Sequence, residues 1–230
     1  CFVEEFLDKN VGLVLKINCA SNSLCDREQT FNRTKNLLAQ YDGRRKCSVH
    51  LLHGDLSDEQ MTYLYRHPKI KALLSLSHGE GHGLPLFEAV YNGLPIVAPA
   101  WSGLTNFIYM PQKVKGKDKD VCMIANVAYE LGNVQPEAFY ADMIIEGSQW
   151  CFPKEWHAKA QLRDVYRSYG TYKSKALRLQ KHILEKFDSN KIMKEFADAI
   201  CEDFPVVDIG RLLDNSNSGN VLLEEVLVFD

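Results

Sequence analysis

The stretch His78-Gly-Glu-Gly-His-Gly-Leu-Pro-Leu-Phe-Glu-Ala-Val-Tyr-Asn-Gly-Leu-Pro-Ile-Val-Ala-Pro99 decides how this chain of 230 residues is read. It directly follows a branched apolar run, Ala72 to Ser77. Gly79, Gly81 and Gly83 let the backbone come close to a ligand and take positive φ. Pro85 suits the first turn of a helix, where its missing N–H costs nothing. A strand, a glycine-rich turn and a helix start in that order make an anion site at the carboxyl end of a parallel strand, because free N–H groups and the helix dipole both face the turn. Two carboxylates bracket it, Glu80 before the helix and Glu88 one turn inside, with seven residues between them. A carboxylate accepts hydrogen bonds from paired hydroxyls, so the spacing suits a diphosphate with a sugar on either side. It equally suits a Glu80 that only complements the helix dipole and a Glu88 that is solvated. Spacing alone leaves both readings open.

Outward from this stretch, short branched runs alternate with segments of helical period, the pattern of a parallel sheet with helices on its faces. Strands are predicted at Val11 to Asn18, Ser48 to Leu52, Ala72 to Ser77, Pro95 to Ala98 and Val121 to Val127. Ser57-Asp-Glu-Gln60 has capping-box spacing and opens a helix through Met61, Leu64 and Tyr65. The segment around Phe31, Leu37, Leu38 and Tyr41 gives another. Right-handed crossovers then imply an α/β fold with a doubly wound, mostly parallel, Rossmann-like sheet flanked by helices. After about residue 150 helices take over as a C-terminal extension. Ala176, Leu179, Ile183 and Phe187 share one face, and Ile192, Phe196, Ala197 and Ile200 another, both read as core-facing. Lys113 to Asp120 reads as a charged, solvated loop. One domain is expected over 1–205, with a linker (Asp214 to Asn220) and an apolar tail (Val221 to Phe229) in 206–230.

Lys and Arg number 27 against 30 Asp and Glu, a net charge of −3 with neutral His, which argues against a broad basic footprint for duplex nucleic acid. No run reaches the roughly 18 apolar residues of a membrane span, and the start lacks the basic and apolar regions of a signal peptide. Seven cysteines without a Cys-x-x-Cys pair fit reduced thiols, so a soluble cytoplasmic protein is expected. A chain beginning at Cys1 reads as a piece of something longer.

Glu80-Gly-His-Gly-Leu-Pro-Leu-Phe-Glu88, followed by Ala89, Gly93-Leu-Pro-Ile-Val97 and Trp101-Ser-Gly103, resembles the glutamate-x7-glutamate signature of family-4 retaining glycosyltransferases of the GT-B fold. His53-Gly-Asp-Leu-Ser-Asp-Glu-Gln60 resembles the glycine and capped helix upstream of that motif, and Lys16 stands where the family carries a basic residue after its first C-terminal-domain strand. The likeness covers about residues 11 to 110. It implies that Glu88 binds the nucleotide ribose and that Glu80, the catalytic candidate, lies against the transferred sugar. Backbone groups of Gly81, His82, Gly83 and Leu84 would meet the diphosphate and sugar hydroxyls, while Lys16 and Arg27 would neutralise the departing phosphate. The implied donor is a nucleoside-diphosphate sugar, bound without metal or other cofactor, and the implied partner is a separate N-terminal domain that holds the acceptor. The family usually has an aromatic at the position of His82 and an acid near that of Asn106.

Three other readings bear on the same residues. His78, Glu80 and His82 alternate as metal ligands could on an extended backbone, but Gly79 and Gly81 weaken that conformation and a fourth ligand would be needed. A nicotinamide site calls for Gly-x-Gly-x-x-Gly, which Gly79-x-Gly81-x-Gly83-Leu-Pro does not match. The alternative of a different class is a non-catalytic nucleotide or sugar-phosphate binding module acting with a partner.

Overall fold

In the computed structural model, which describes residues 1–140 and 143–201, β1 (Gly12–Ile17) runs parallel to β2 (Ser48–His53), Gly12 opposite Ser48 and Ile17 opposite His53. A second parallel group joins β3 (Leu73–Leu74), β4 (Ile96–Ala98) and β7 (Ala125–Asn126) in the order β3-β4-β7. The fold is therefore mixed α/β, with its parallel strands hydrogen-bonded in two groups. Among the described strands, β4 alone is buried along its whole length, as expected of a run Ile-Val-Ala with neighbours on both edges. The expected tail 206–230 lies outside the described residues.

Ser23 caps α2 (Leu24–Leu38) and Ser57 caps α3 (Asp58–Arg66), each in a reciprocal capping box, with Asp26 and Gln60 reaching back. The expected strand Val121 to Val127 is corrected. Its first two residues end β6 (Lys117–Cys122), which pairs antiparallel with β5 (Tyr109–Val114), and only Ala125 and Asn126 join the parallel group. The expected loop Lys113 to Asp120 is thus a hairpin. Lys115 and Gly116 both take positive φ (51° and 76°), the two-residue turn whose twist matches paired strands, and Lys113 faces Asp118 across it. A second hairpin pairs β8 (Tyr129–Asn133) with β9 (Gln149–Pro153).

The core gathers α1 (Phe2–Glu5), the central strands and the late helices. Phe6, Cys47, Val97, Ala125 and Val127 pack with Ala158, Leu162 and Val165 of α5 (Glu155–Arg167) and Tyr172 of α6 (Tyr169–Lys186). Ala176, Leu179 and Ile183 are buried as expected, in register with Tyr172. Three side chains of α6 hold backbone carbonyls 80 or more residues earlier in the chain: Lys173 donates to Gly93 O at 2.6 Å, Gln180 to Tyr91 O at 2.8 Å and Lys186 to Asn106 O at 2.7 Å. Burial and the nearby Lys71 pull the Lys173 ammonium below its ordinary pKa.

The chain divides into two compact units, 1–186 and a second that starts at Phe187, of which α7 (Ser189–Cys201) is described. Taken by itself, α7 leaves Ile192, Phe196, Ala197 and Ile200 exposed. Among the described residues, no other element of its unit lies over this stripe. Among the described residues, no helix is long and apolar enough to cross a membrane.

Candidate functional site

Gly83 caps α4 (Leu84–Tyr91) in the left-handed conformation, φ 80° and ψ 51°, and contributes no side chain to the cap. Its carbonyl starts the helix by accepting from Leu86 and Phe87, both at 2.9 Å. Among the described residues, no acceptor takes the N–H groups of Gly81, His82, Gly83 or Leu84. Four such N–H groups and the positive end of a helix thus lie in one short segment, an arrangement that favours an anion. Gly83 itself is fixed by packing as well as by φ, because a Cβ there would stand 3.0 Å from Leu104 Cδ1. Gly81 is different. It is exposed, has no positive φ, and a Cβ built on it meets nothing within 4 Å.

The turn is held from two sides. Glu80 O accepts from Gly103 N at 3.1 Å and from Ser102 Oγ at 2.8 Å. Ser102 opens the one-turn 3-10 helix Ser102–Asn106 in a left-handed conformation, φ 60°. A Cβ on Gly103 would lie 2.1 Å from Gly81 O, so only glycine fits there. On the other side, His78 donates from Nδ1 to Cys151 O at 2.7 Å, Cys151 N donates to His78 O at 3.0 Å, and the ring stacks on Trp150 with centroids 4.8 Å apart. The Glu80 side chain has no hydrogen-bond partner among the described residues.

Glu88 is exposed on α4 and accepts at Oε2 from the Tyr65 hydroxyl at 3.2 Å, while Arg66 Nε donates to Asn92 Oδ1 at 2.7 Å, so α3 is pinned along α4. Burial, then the charge of Glu88, raises the Tyr65 pKa and keeps that hydroxyl a donor. His82 turns its ring onto Phe87 and Phe107, 5.4 and 5.5 Å between centroids, and leaves only its backbone at the turn. With His78 facing β9 and His82 facing aromatics, the metal reading loses its convergent set. Among the described residues no three His, Cys, Asp or Glu side chains are grouped to hold a metal ion.

Lys16 donates to Asn18 Oδ1, Asn18 Nδ2 donates to Asp55, and Asn22 Nδ2 donates to Asp55 Oδ2 at 2.8 Å. These residues form a polar knot at the carboxyl ends of β1 and β2. Arg27 projects from the first turns of α2, exposed, with no side-chain partner among the described residues. Two concavities, one interior between α4 and α6 and one open along β2 and α3, include no residue of the turn 78–83.

Compared with models of known families and with curated proteins, the chain matches none. Its site is therefore argued from geometry. Sequence reasoning missed Tyr65, Ser102, the close approach at Gly103 and the Asp55 knot. Gly103 was visible as part of Trp101-Ser-Gly103, but a glycine reveals its neighbour only when the chain has folded back on it.

Proposed function

We propose that the chain is the donor-binding part of a retaining glycosyltransferase of the GT-B type, taking a nucleoside-diphosphate sugar at the turn 79–83 and transferring the sugar to an acceptor held by a separate N-terminal domain. In this reading the two parallel groups are parts of one doubly wound arrangement, with the ligand at the carboxyl ends of the strands. The diphosphate lies against the N–H groups of Gly81 to Leu84, and Lys16 and Arg27 offset its charge as it leaves. Glu88, steadied by Tyr65, accepts from the ribose hydroxyls. Glu80, whose carboxylate has no partner among the described residues, lies against the sugar that moves, where contacts made in the transition state count most. Free thiols at Cys1, Cys19, Cys25, Cys47, Cys122 and Cys151 fit a reducing, cytoplasmic setting.

The observation that carries this reading is Gly81. Nothing in the fold requires glycine there, whereas a ligand pressed against the backbone would. Gly81→Ala is expected to leave the melting temperature within about 1 °C, since exposed substitutions clear of packing change stability little. The same variant is expected to weaken binding of a nucleotide sugar by about tenfold or more, measured by calorimetry with UDP-glucose and GDP-mannose, with and without chelator. Unchanged affinity in Gly81→Ala, or an absolute requirement for a divalent metal, overturns the proposal. Binding to the full-length protein without turnover on any acceptor returns it to a non-catalytic module.

A further inference from the structure

We infer that His78 is a positioning residue that ties the glycine-rich turn to β9, so that the β8–β9 hairpin sets where Glu80 meets the ligand. The inference rests on the donor reading for what Glu80 contacts, and on geometry alone for the tether. His78 and Cys151 exchange two hydrogen bonds, one from Cys151 N to His78 O at 3.0 Å and one from His78 Nδ1 to Cys151 O at 2.7 Å. The second uses a side chain where a ladder would use backbone. The ring is then clamped by the residues on either side of Cys151: Trp150 lies nearly parallel to it, 14° between planes, and Phe152 meets it edge-on with centroids 4.9 Å apart. Cys151 is fully buried, so the carbonyl that accepts from His78 belongs to a rigid part of the core.

One residue separates this clamp from the second anchor. Glu80 O is held by Ser102 and Gly103, and Gly79 lies between the anchors with room for a Cβ at 3.7 Å from Trp101 Nε1. Gly79 therefore keeps the freedom of glycine while its neighbours on both sides are fixed. Removing the His78 ring leaves the single backbone bond from Cys151 N on that side, so Glu80 can shift about its own anchored carbonyl. Trp101 also meets Tyr129 of β8 with centroids 5.7 Å apart, so the same hairpin touches the residue next to the second anchor. A change in the hairpin would be felt at Glu80 without any contact between the hairpin and the ligand.

The test uses the full chain and three variants. His78→Asn keeps a donor where Nδ1 stands and loses the stacking. His78→Phe keeps the stacking and loses the donor, and His78→Ala loses both. Hydrogen exchange of the ligand-free proteins is expected to speed up by about tenfold at the amides of Cys151 and Gly103, which donate to His78 O and Glu80 O, in His78→Phe and His78→Ala, with α5 and α6 unchanged and with substantial recovery in His78→Asn. Exchange at Cys151 and Gly103 equal to wild type in His78→Ala overturns the tether. Calorimetry then compares UDP with UDP-glucose. Because Glu80 faces the sugar, His78→Phe should lose about tenfold in affinity for UDP-glucose and less than about twofold for UDP. An equal loss for both ligands overturns the positioning of Glu80 and leaves a general loosening of the turn. If wild type binds neither UDP-glucose nor GDP-mannose, the donor reading fails and the Glu80 part of this inference fails with it, while the exchange experiment still decides the tether.

Discussion

Replacing Gly103 by alanine drives a methyl group into the backbone of the turn it supports. The new Cβ would sit 2.1 Å from Gly81 O, 2.7 Å from Gly81 C and 2.9 Å from Glu80 O, all inside the 3.0 Å below which such contacts essentially do not occur. None of these atoms is the end of a flexible side chain, so relief requires the turn or the 3-10 helix to retreat by about 1 Å. That retreat breaks the 3.1 Å hydrogen bond from Gly103 N to Glu80 O. Overpacking of this kind costs about 1–3 kcal/mol and the lost hydrogen bond about 0.5–1.5 kcal/mol. Together they amount to about 2–4 kcal/mol, which for a chain of this size lowers the melting temperature by roughly 4–16 °C. Thermal unfolding followed by circular dichroism reads the cost, and nucleotide-sugar affinity should fall by at least about tenfold as the N–H groups of the turn leave register. Gly81→Ala is the control, with open space at the same turn. A Gly103→Ala protein that melts within about 1 °C of wild type would refute the close approach and with it the account of how the turn is held.

Three further expectations follow from contacts elsewhere in the fold. Tyr65→Phe removes the hydroxyl from Glu88 while keeping the buried ring, and should cost about 0.5–1.5 kcal/mol in stability and about threefold in nucleotide affinity, read by denaturant titration and calorimetry. Glu4 is bonded to Lys159 of α5, which holds its carboxyl down at about 2 against an ordinary 4.5. A depressed carboxylate stabilises above its unfolded value and loses that contribution as pH falls, so the gap in melting temperature between wild type and Glu4→Gln should be constant above about pH 4.5 and close between there and about pH 2. Lys115→Asn puts a residue that tolerates positive φ at the first position of the β5–β6 turn and should add about 0.5–1 kcal/mol, seen as a rise of roughly 1–4 °C.

Elements whose signal is local were legible in the sequence. The serine cap of α3 acts within three residues, Pro85 marks the start of α4, and the branched runs of β1, β2 and β4 pair in parallel. The stretch Val121 to Val127 was misread because an apolar run shows that residues are buried, not that they share a strand, and here it spans the end of a hairpin and the start of a parallel pairing. Lys113 to Asp120 was misread because its charges mask a strand alternation that cross-strand neighbours such as Lys113 and Asp118 make compatible with pairing. In α7 periodicity gave the helix but not a covering surface. At the site, glycine spacing and the two glutamates located the turn. Its supports came from far away in the chain, and Cys151, Ser102 and Gly103 carry no local mark of the contact they make.

The carbonyls that close α4 are held by Lys173 and Gln180, and the loop that supports its entry is held by Lys186. Gly93, at φ 66°, is also shaped against this helix, since a Cβ there would lie 2.8 Å from Gln180 Oε1. The shortest excisable piece that keeps the helix properly seated is therefore set by the far end of α6. A deletion series trimmed inward from residue 186 should lose order around α4 in steps, first at 106, then at 91–93, long before any residue of α4 is removed.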